Sequence, residues 1–104
     1  MPFIKLIPLR RCREGRGTFI EYAGKELAVF LLDDGKKIVV IDNACPHSSG
    51  NLSAGEVKGS TITCPLHDWR FDLDCGTCVG APHVRLERYD CETREGHLWV
   101  NLPD

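Results

Sequence analysis

The chain has 104 residues, 42% of them hydrophobic and 27% charged, with a net charge of -2 at neutral pH. That is the length of one ordinary domain with a single modest core, and the composition excludes disorder and collagen-like repeats. The near balance of 13 basic and 15 acidic residues gives no bulk electrostatic case for a nucleic-acid or membrane partner.

Taken in chain order, the pattern is mostly strand and turn. Residues 3–7 read as a first strand and residues 18–22 as a second, ended by Ala23-Gly24-Lys25. Residues 27–32 are aliphatic, aromatic and β-branched. Asp33-Asp34-Gly35 then supplies turn chemistry, and residues 36–41 return as a strand, a strong hairpin signal. Residues 42–60 are rich in Gly, Ser, Asn and Pro, as loops are. A short strand is expected at 61–63, mixed sequence from 64 to 74, and a turn-prone stretch from Cys75 to Pro82. Residues 84–89 alternate apolar and charged, which fits one half-buried strand. Residues 93–96 read as a turn and residues 97–102 as the last strand. No window holds a helical period, and no repeat or low-complexity tract occurs. The fold class expected is all-β and antiparallel, one domain over residues 1–104, with a loop-rich insertion from about 43 to 82.

Six cysteines are many for this length. The N-terminal apolar stretch is short, holds Lys5 and Pro8, and lacks a small-residue cleavage site, so no secretory signal is read. No run approaches the roughly 18 apolar residues of a spanning helix. The expected setting is a reducing cytoplasm, where clustered cysteines bind metal or do redox chemistry.

Two matched pairs dominate the insertion. Cys45-Pro46-His47 is C-x-H, and Cys64-Pro65-Leu66-His67 is C-x-x-H. Each offers one thiolate and one imidazole from a short loop, and a proline after each cysteine stiffens that loop by fixing φ. Two metal chemistries accept this set. One is a structural Cys2His2 zinc site, although zinc modules tend to pair Cys with Cys and His with His. The other is a [2Fe–2S] cluster in which two His replace two Cys on one iron.

Cys45-Pro46-His47 and the run from Cys64 through Asp72 resemble the two cluster loops of the Rieske iron–sulfur family. The resemblance implies one [2Fe–2S] cluster, with Cys45 and Cys64 on the buried iron and His47 and His67 on the outer one. It also implies an antiparallel β-sandwich-like body carrying a cluster-binding tip. Neutral imidazoles make the oxidised cluster formally uncharged, so an electron is added more easily than to an all-cysteine cluster. Oxidised iron should acidify the bound rings, coupling electron uptake to proton uptake at high pH.

In the respiratory branch of the family, a disulfide joins the two loops, and a Ser and a Tyr hydroxyl donate to the cluster. Here Gly50 and Leu66 stand at the disulfide positions, and Trp69 and Phe71 at the hydroxyl positions. Such hydrogen bonds favour the reduced, more negative state, and a differential of about 1–2 kcal/mol for each is taken. At about 1.4 kcal/mol per 59 mV for one electron, two losses lower the potential by on the order of 100 mV. The expectation is a centre near the bottom of the family range of about -150 to +300 mV.

The remaining candidates carry less. Cys75-Gly76-Thr77-Cys78 is a C-x-x-C, which with Cys12 and Cys91 would make a second metal site; the simpler reading is thiols packed as small apolar groups. His83 and His97 lack partners at loop spacing. Trp69 is expected to shield the loops and Trp99 to lie in the core. Pro46, Leu66 and Pro82 are expected to form an apolar rim. Arg10, Arg11 and Arg13 read as a solvated loop or a docking patch.

By resemblance, the function expected is a Rieske-type ferredoxin carrying single electrons from a flavin-linked reductase to a terminal oxygenase. The alternative within the family is the small subunit of a nitrite reductase, partnered by the reductase large subunit. With so few residues after His67, the mononuclear-iron domain of an oxygenase large subunit is not expected. No acid, base or nucleophile constellation appears, so no catalysis beyond electron transfer is expected of the domain.

Overall fold

A computed structural model describes residues 3–46, 50–66 and 68–102. In chain order its strands are β1 (Ile4–Pro8), β2 (Gly17–Tyr22), β3 (Lys25–Leu32), β4 (Lys37–Asp42), β5 (Glu56–Lys58) and β6 (Thr61–Thr63). There follow β7 (Arg70–Asp72), β8 (Thr77–Cys78), β9 (Ala81–Arg85), β10 (Arg88–Tyr89), β11 (Cys91–Arg94) and β12 (His97–Val100). Two single-turn 3-10 helices, Leu9–Arg11 and Leu52–Ala54, are the only helical elements among the described residues.

The strands form three antiparallel sheets, ordered β1-β12-β11, β10-β4-β3-β2 and β5-β6-β7-β8-β9. The second sheet lies in the middle, for a reason written into β3. Successive side chains of a strand point to opposite faces. Leu27 and Val29 join Ile7, Val40, Leu98 and Val100 in one core. Ala28, Phe30 and Leu32 join Val39, Ile41, Leu52, Ile62, Phe71 and both Cys45 and Cys64 in the other. A strand covered on both faces has no solvent side, so residues 27–32 read as a continuous apolar run. Each large side chain buried there contributes about 1.5–3 kcal/mol.

The connections obey local chemistry. Ala23 and Gly24 have φ of 51 and 82 and join β2 to β3, the left-handed pair that a two-residue hairpin needs. Glu95 and Gly96 repeat it between β11 and β12, with φ of 50 and 77.

The loop-rich stretch 43–82 is crossed by the third sheet, whose strands β5–β8 are two or three residues long. Two expectations are corrected. Residues 84–89 are not one strand. Val84 and Arg85 end β9 in the third sheet, Leu86 buries into the core, and Arg88 and Tyr89 pair with β4 in the middle sheet. The alternation fails there because Glu87 and Arg88 are both exposed where the chain passes between sheets. Residues 93 and 94 belong to β11, which pairs fully with β12; its polar composition marks an outer strand.

Candidate metal centre

Each of the two loops is closed at its base. The chain leaves β4 through an Asx turn, the Ala44 N–H donating to the Asp42 carboxylate at 3.0 Å. The Cys45 N–H then donates to the Gly50 carbonyl at 2.9 Å, and the Cys64 N–H to the Trp69 carbonyl at 2.7 Å. In both loops the bond runs from the cysteine to the residue five positions on, so each cysteine is fixed at the root of a small ring. His47 and His67 lie outside the described residues.

Both cysteines are buried, Cys45 at 2% exposure and Cys64 at 0%, and both belong to the core shared by the middle and third sheets. The loops touch at Gly50. A β-carbon there would lie 3.0 Å from the Cys64 Sγ and 3.3 Å from two side-chain carbons of Leu66. The glycine therefore gives the first loop room to approach the second. Gly50 and Leu66 are also the pair aligned with the cross-loop disulfide of the respiratory branch, and the structure places them together. Two buried sulfurs, one from each of two touching loops, suit a group held by thiolates from both sides.

The other sequence candidates divide. Cys12 and Cys91 pack on the core beneath the first sheet, whereas Cys78 lies in the other core and Cys75 is exposed. These four do not converge, and no group of three or more possible ligands occurs among the described residues, so the second metal site is not formed. Burial pushes the Cys78 thiol above its ordinary pKa; the Ala81 backbone N–H opposes this and the neighbouring Cys45 adds to it. Cys75 turns outward, its Sγ 3.0 Å from the Thr77 Oγ1.

Trp69 is half-buried against the cluster-side core. With Asp68, Arg70, Cys78, Val79, Gly80 and Ala81 it lines a cleft of about 290 Å³. Trp99 is not core. Leu98 and Val100 take the inward face of β12, so Trp99 faces outward, half-buried, with the Arg94 guanidinium 4.8 Å from its ring centroid. Pro46, Leu66 and Pro82 are all exposed, Leu66 at 49%. His83 is exposed, and the His97 Nδ1 lies 3.3 Å from the Glu95 carbonyl. Arg10, Arg11 and Arg13 are exposed.

One residue was missed by sequence reasoning. Asn43, placed there among loop formers, is the one polar residue that is fully buried among the described residues, at 0% exposure. Its type carries no signal for this, because exposed turns use asparagine as readily.

A family model for the Rieske [2Fe-2S] domain matches residues 3–90. An oxygenase component of 3-ketosteroid-9-alpha-monooxygenase from Rhodococcus rhodochrous is 43% identical over 94 residues, covering 90% of this chain and 23% of that protein. The chain spans 19% to 24% of the length of the oxygenase components it matches. Among solved structures, the ferredoxin of carbazole 1,9a-dioxygenase from Nocardioides aromaticivorans IC177 aligns with a TM-score of 0.81 at 27% identity, over 96% of this chain and 97% of that one. A protein assigned as the NADH-dependent nitrite reductase small subunit of Mycobacterium tuberculosis aligns with a TM-score of 0.83 at 27% identity, over 95% and 93%. The zinc reading is thereby set aside: this chain belongs to the Rieske [2Fe-2S] domain family, electron carriers whose cluster is bound by Cys and His.

Proposed function

We propose that Cys45, His47, Cys64 and His67 are the four ligands and that the protein is a low-potential, ferredoxin-like electron carrier serving a terminal oxygenase. The observation that carries this reading is the contact of the two cysteine loops at Gly50, with both thiols buried. The cluster supplies a one-electron couple; the chain supplies its surroundings. The Cys45 and Cys64 backbone amides are held within their own loops, fixing where the sulfurs sit. Leu66 covers the junction of the loops. Trp69 and Phe71 bring no hydroxyl to it, and Phe71 is fully buried in the adjoining core.

The carrier reading is supported by the dioxygenase ferredoxin, which this chain matches over nearly the whole of both. A second reading makes it the Rieske portion of an oxygenase component, favoured by the 43% identity to such a component. A third, the small subunit of a nitrite reductase, rests on the fold shared at 27% identity. A flavin-linked reductase as donor goes with the first two. A cytoplasmic site of action suits Cys12, Cys75, Cys78 and Cys91, which are unbridged, as reducing compartments leave them. No helix among the described residues is long and apolar enough to cross a membrane.

Redox titration tests the potential. A midpoint near the bottom of the family range supports the proposal, and a strongly positive one contradicts it. Gel filtration of native extract separates the readings. A lone species of domain size supports the carrier, whereas elution of the cluster with a larger iron- or haem-containing protein supports a subunit.

A further inference from the structure

The two cluster loops are anchored by different means. The second continues a ladder: β6 and β7 pair at Thr61 with Asp72, Ile62 with Phe71 and Thr63 with Arg70, directly below the bond from Cys64 to Trp69. The first has no such ladder. β4 ends at Asp42, and the returning chain enters a 3-10 turn at Leu52. Among the described residues its backbone pairing is a single bridge, Ala44 with Asn51, closed by the bonds from Cys45 to Gly50 and from Leu52 to Asn43.

Asn43 fills that gap. Its Nδ2 donates to the Asn51 Oδ1 at 2.9 Å, and its Oδ1 accepts from the Ser53 N–H at 2.9 Å. Its carbonyl accepts from the Leu52 N–H at 2.9 Å, and its own N–H donates to the Glu26 carbonyl at 2.9 Å. One buried side chain therefore grips the returning arm of the loop at residues 51 and 53, while its backbone holds the same arm at 52 and the middle sheet at 26. Both side-chain bonds are part-buried, and losing the partner of the Asn43 amide leaves that buried group unsatisfied.

We infer that Asn43 is a positioning residue for the centre, setting the orientation of the loop that carries Cys45 and His47 in place of a strand ladder. The inference rests on the ligand reading proposed above. Asn43 acts through the loop and touches no cluster atom in this account.

Three variants separate positioning from plain core packing, each compared with the wild type by EPR of the reduced protein, imidazole nitrogen coupling, midpoint potential, oxygen-dependent bleaching and melting temperature. Asn43→Leu keeps the bulk and removes both side-chain bonds. It should change the g-anisotropy and nitrogen coupling and speed bleaching on the order of tenfold, about 1.4 kcal/mol for the two bonds together. Asn43→Asp keeps the acceptor for Ser53 and, with the Asn51 amide turned over, the second bond as well. It should restore the wild-type spectral shape, while its buried charge shifts the potential downward. Asn51→Ala removes one bond at an exposed residue and opens no core cavity. It should move the nitrogen coupling in the direction of Asn43→Leu by a smaller amount, and it decides the matter if Asn43→Leu does not fold. Wild-type iron content with variants that differ only in melting temperature overturns this inference alone. Wild-type protein without a cluster overturns the ligand reading and this inference with it.

Discussion

The loop after β4 and the loop after β6 make the same closing bond, cysteine amide to a carbonyl five residues on, yet they stand on different foundations. The second grows from a hairpin, so a backbone ladder runs up to its root. The first bridges two sheets, where no continuous ladder can form, and a buried asparagine carries the join. Backbone pairing tolerates most side-chain changes, whereas a single polar side chain does not. The two loops should therefore differ in their sensitivity to mutation at their roots, although each carries one cysteine and one histidine.

The largest effect expected removes the centre from either side. Cys45→Ser or Cys64→Ser should abolish the native visible spectrum and cost much of the fold, since ligand binding and folding are coupled in small metallo-domains. Iron analysis and thermal melting check it, and His67→Ala should do the same to the spectrum.

The contact between loops comes next. Gly50→Ala puts a β-carbon 3.0 Å from the Cys64 Sγ and 3.3 Å from Leu66. Overpacking of this kind costs about 1–3 kcal/mol. Leu66 is about half exposed and can yield, so Leu66→Ala should return part of the loss, as a double-mutant cycle in thermal melting would show.

A smaller change sharpens the comparison within the second loop. Asp68 has φ of +56, a left-handed conformation that aspartate tolerates at some cost. Asp68→Gly should raise stability by less than about 1 kcal/mol. A melting temperature lower than wild type would show that the Asp68 side chain makes a favourable interaction outweighing the backbone strain.

The smallest effect expected lies between β4 and the turn after β7. Lys37 pairs with Asp74 and, chiefly by hydrogen bonding, holds its carboxyl below the usual aspartate pKa. A depressed pKa stabilises the fold at pH above the unfolded value, and that contribution disappears as pH falls through the folded value. Both side chains are 40% or more exposed, so the pair is worth at most about 1 kcal/mol. Asp74→Asn should remove this small acid dependence and leave stability below the transition unchanged, as melting temperatures across pH would show.

What the sequence disclosed follows the range of each interaction. The Cys–His pairs stand out in the sequence because each cysteine and histidine sit two or three positions apart. The hairpin of β3 and β4 was legible because a long apolar run meets Asp33-Asp34-Gly35. The third sheet was not, since strands as short as Thr77–Cys78 take their register from neighbours rather than from their own pattern. Nor was Leu86, an inward step between two sheets that resembles one position of a regular alternation. Trp99 misled because size alone does not choose a face of β12; Leu98 and Val100 do. Asn43 was invisible for a related reason: its burial follows from where the loop returns, which only the folded chain specifies.

The centre itself is tested most directly by pulsed EPR of the dithionite-reduced protein. A half-spin iron–sulfur signal coupled to nitrogen from two imidazole rings is expected, one coupling lost in His47→Cys and the other in His67→Cys. A reduced cluster without imidazole coupling, or anaerobically prepared protein lacking iron and acid-labile sulfide, would contradict this expectation.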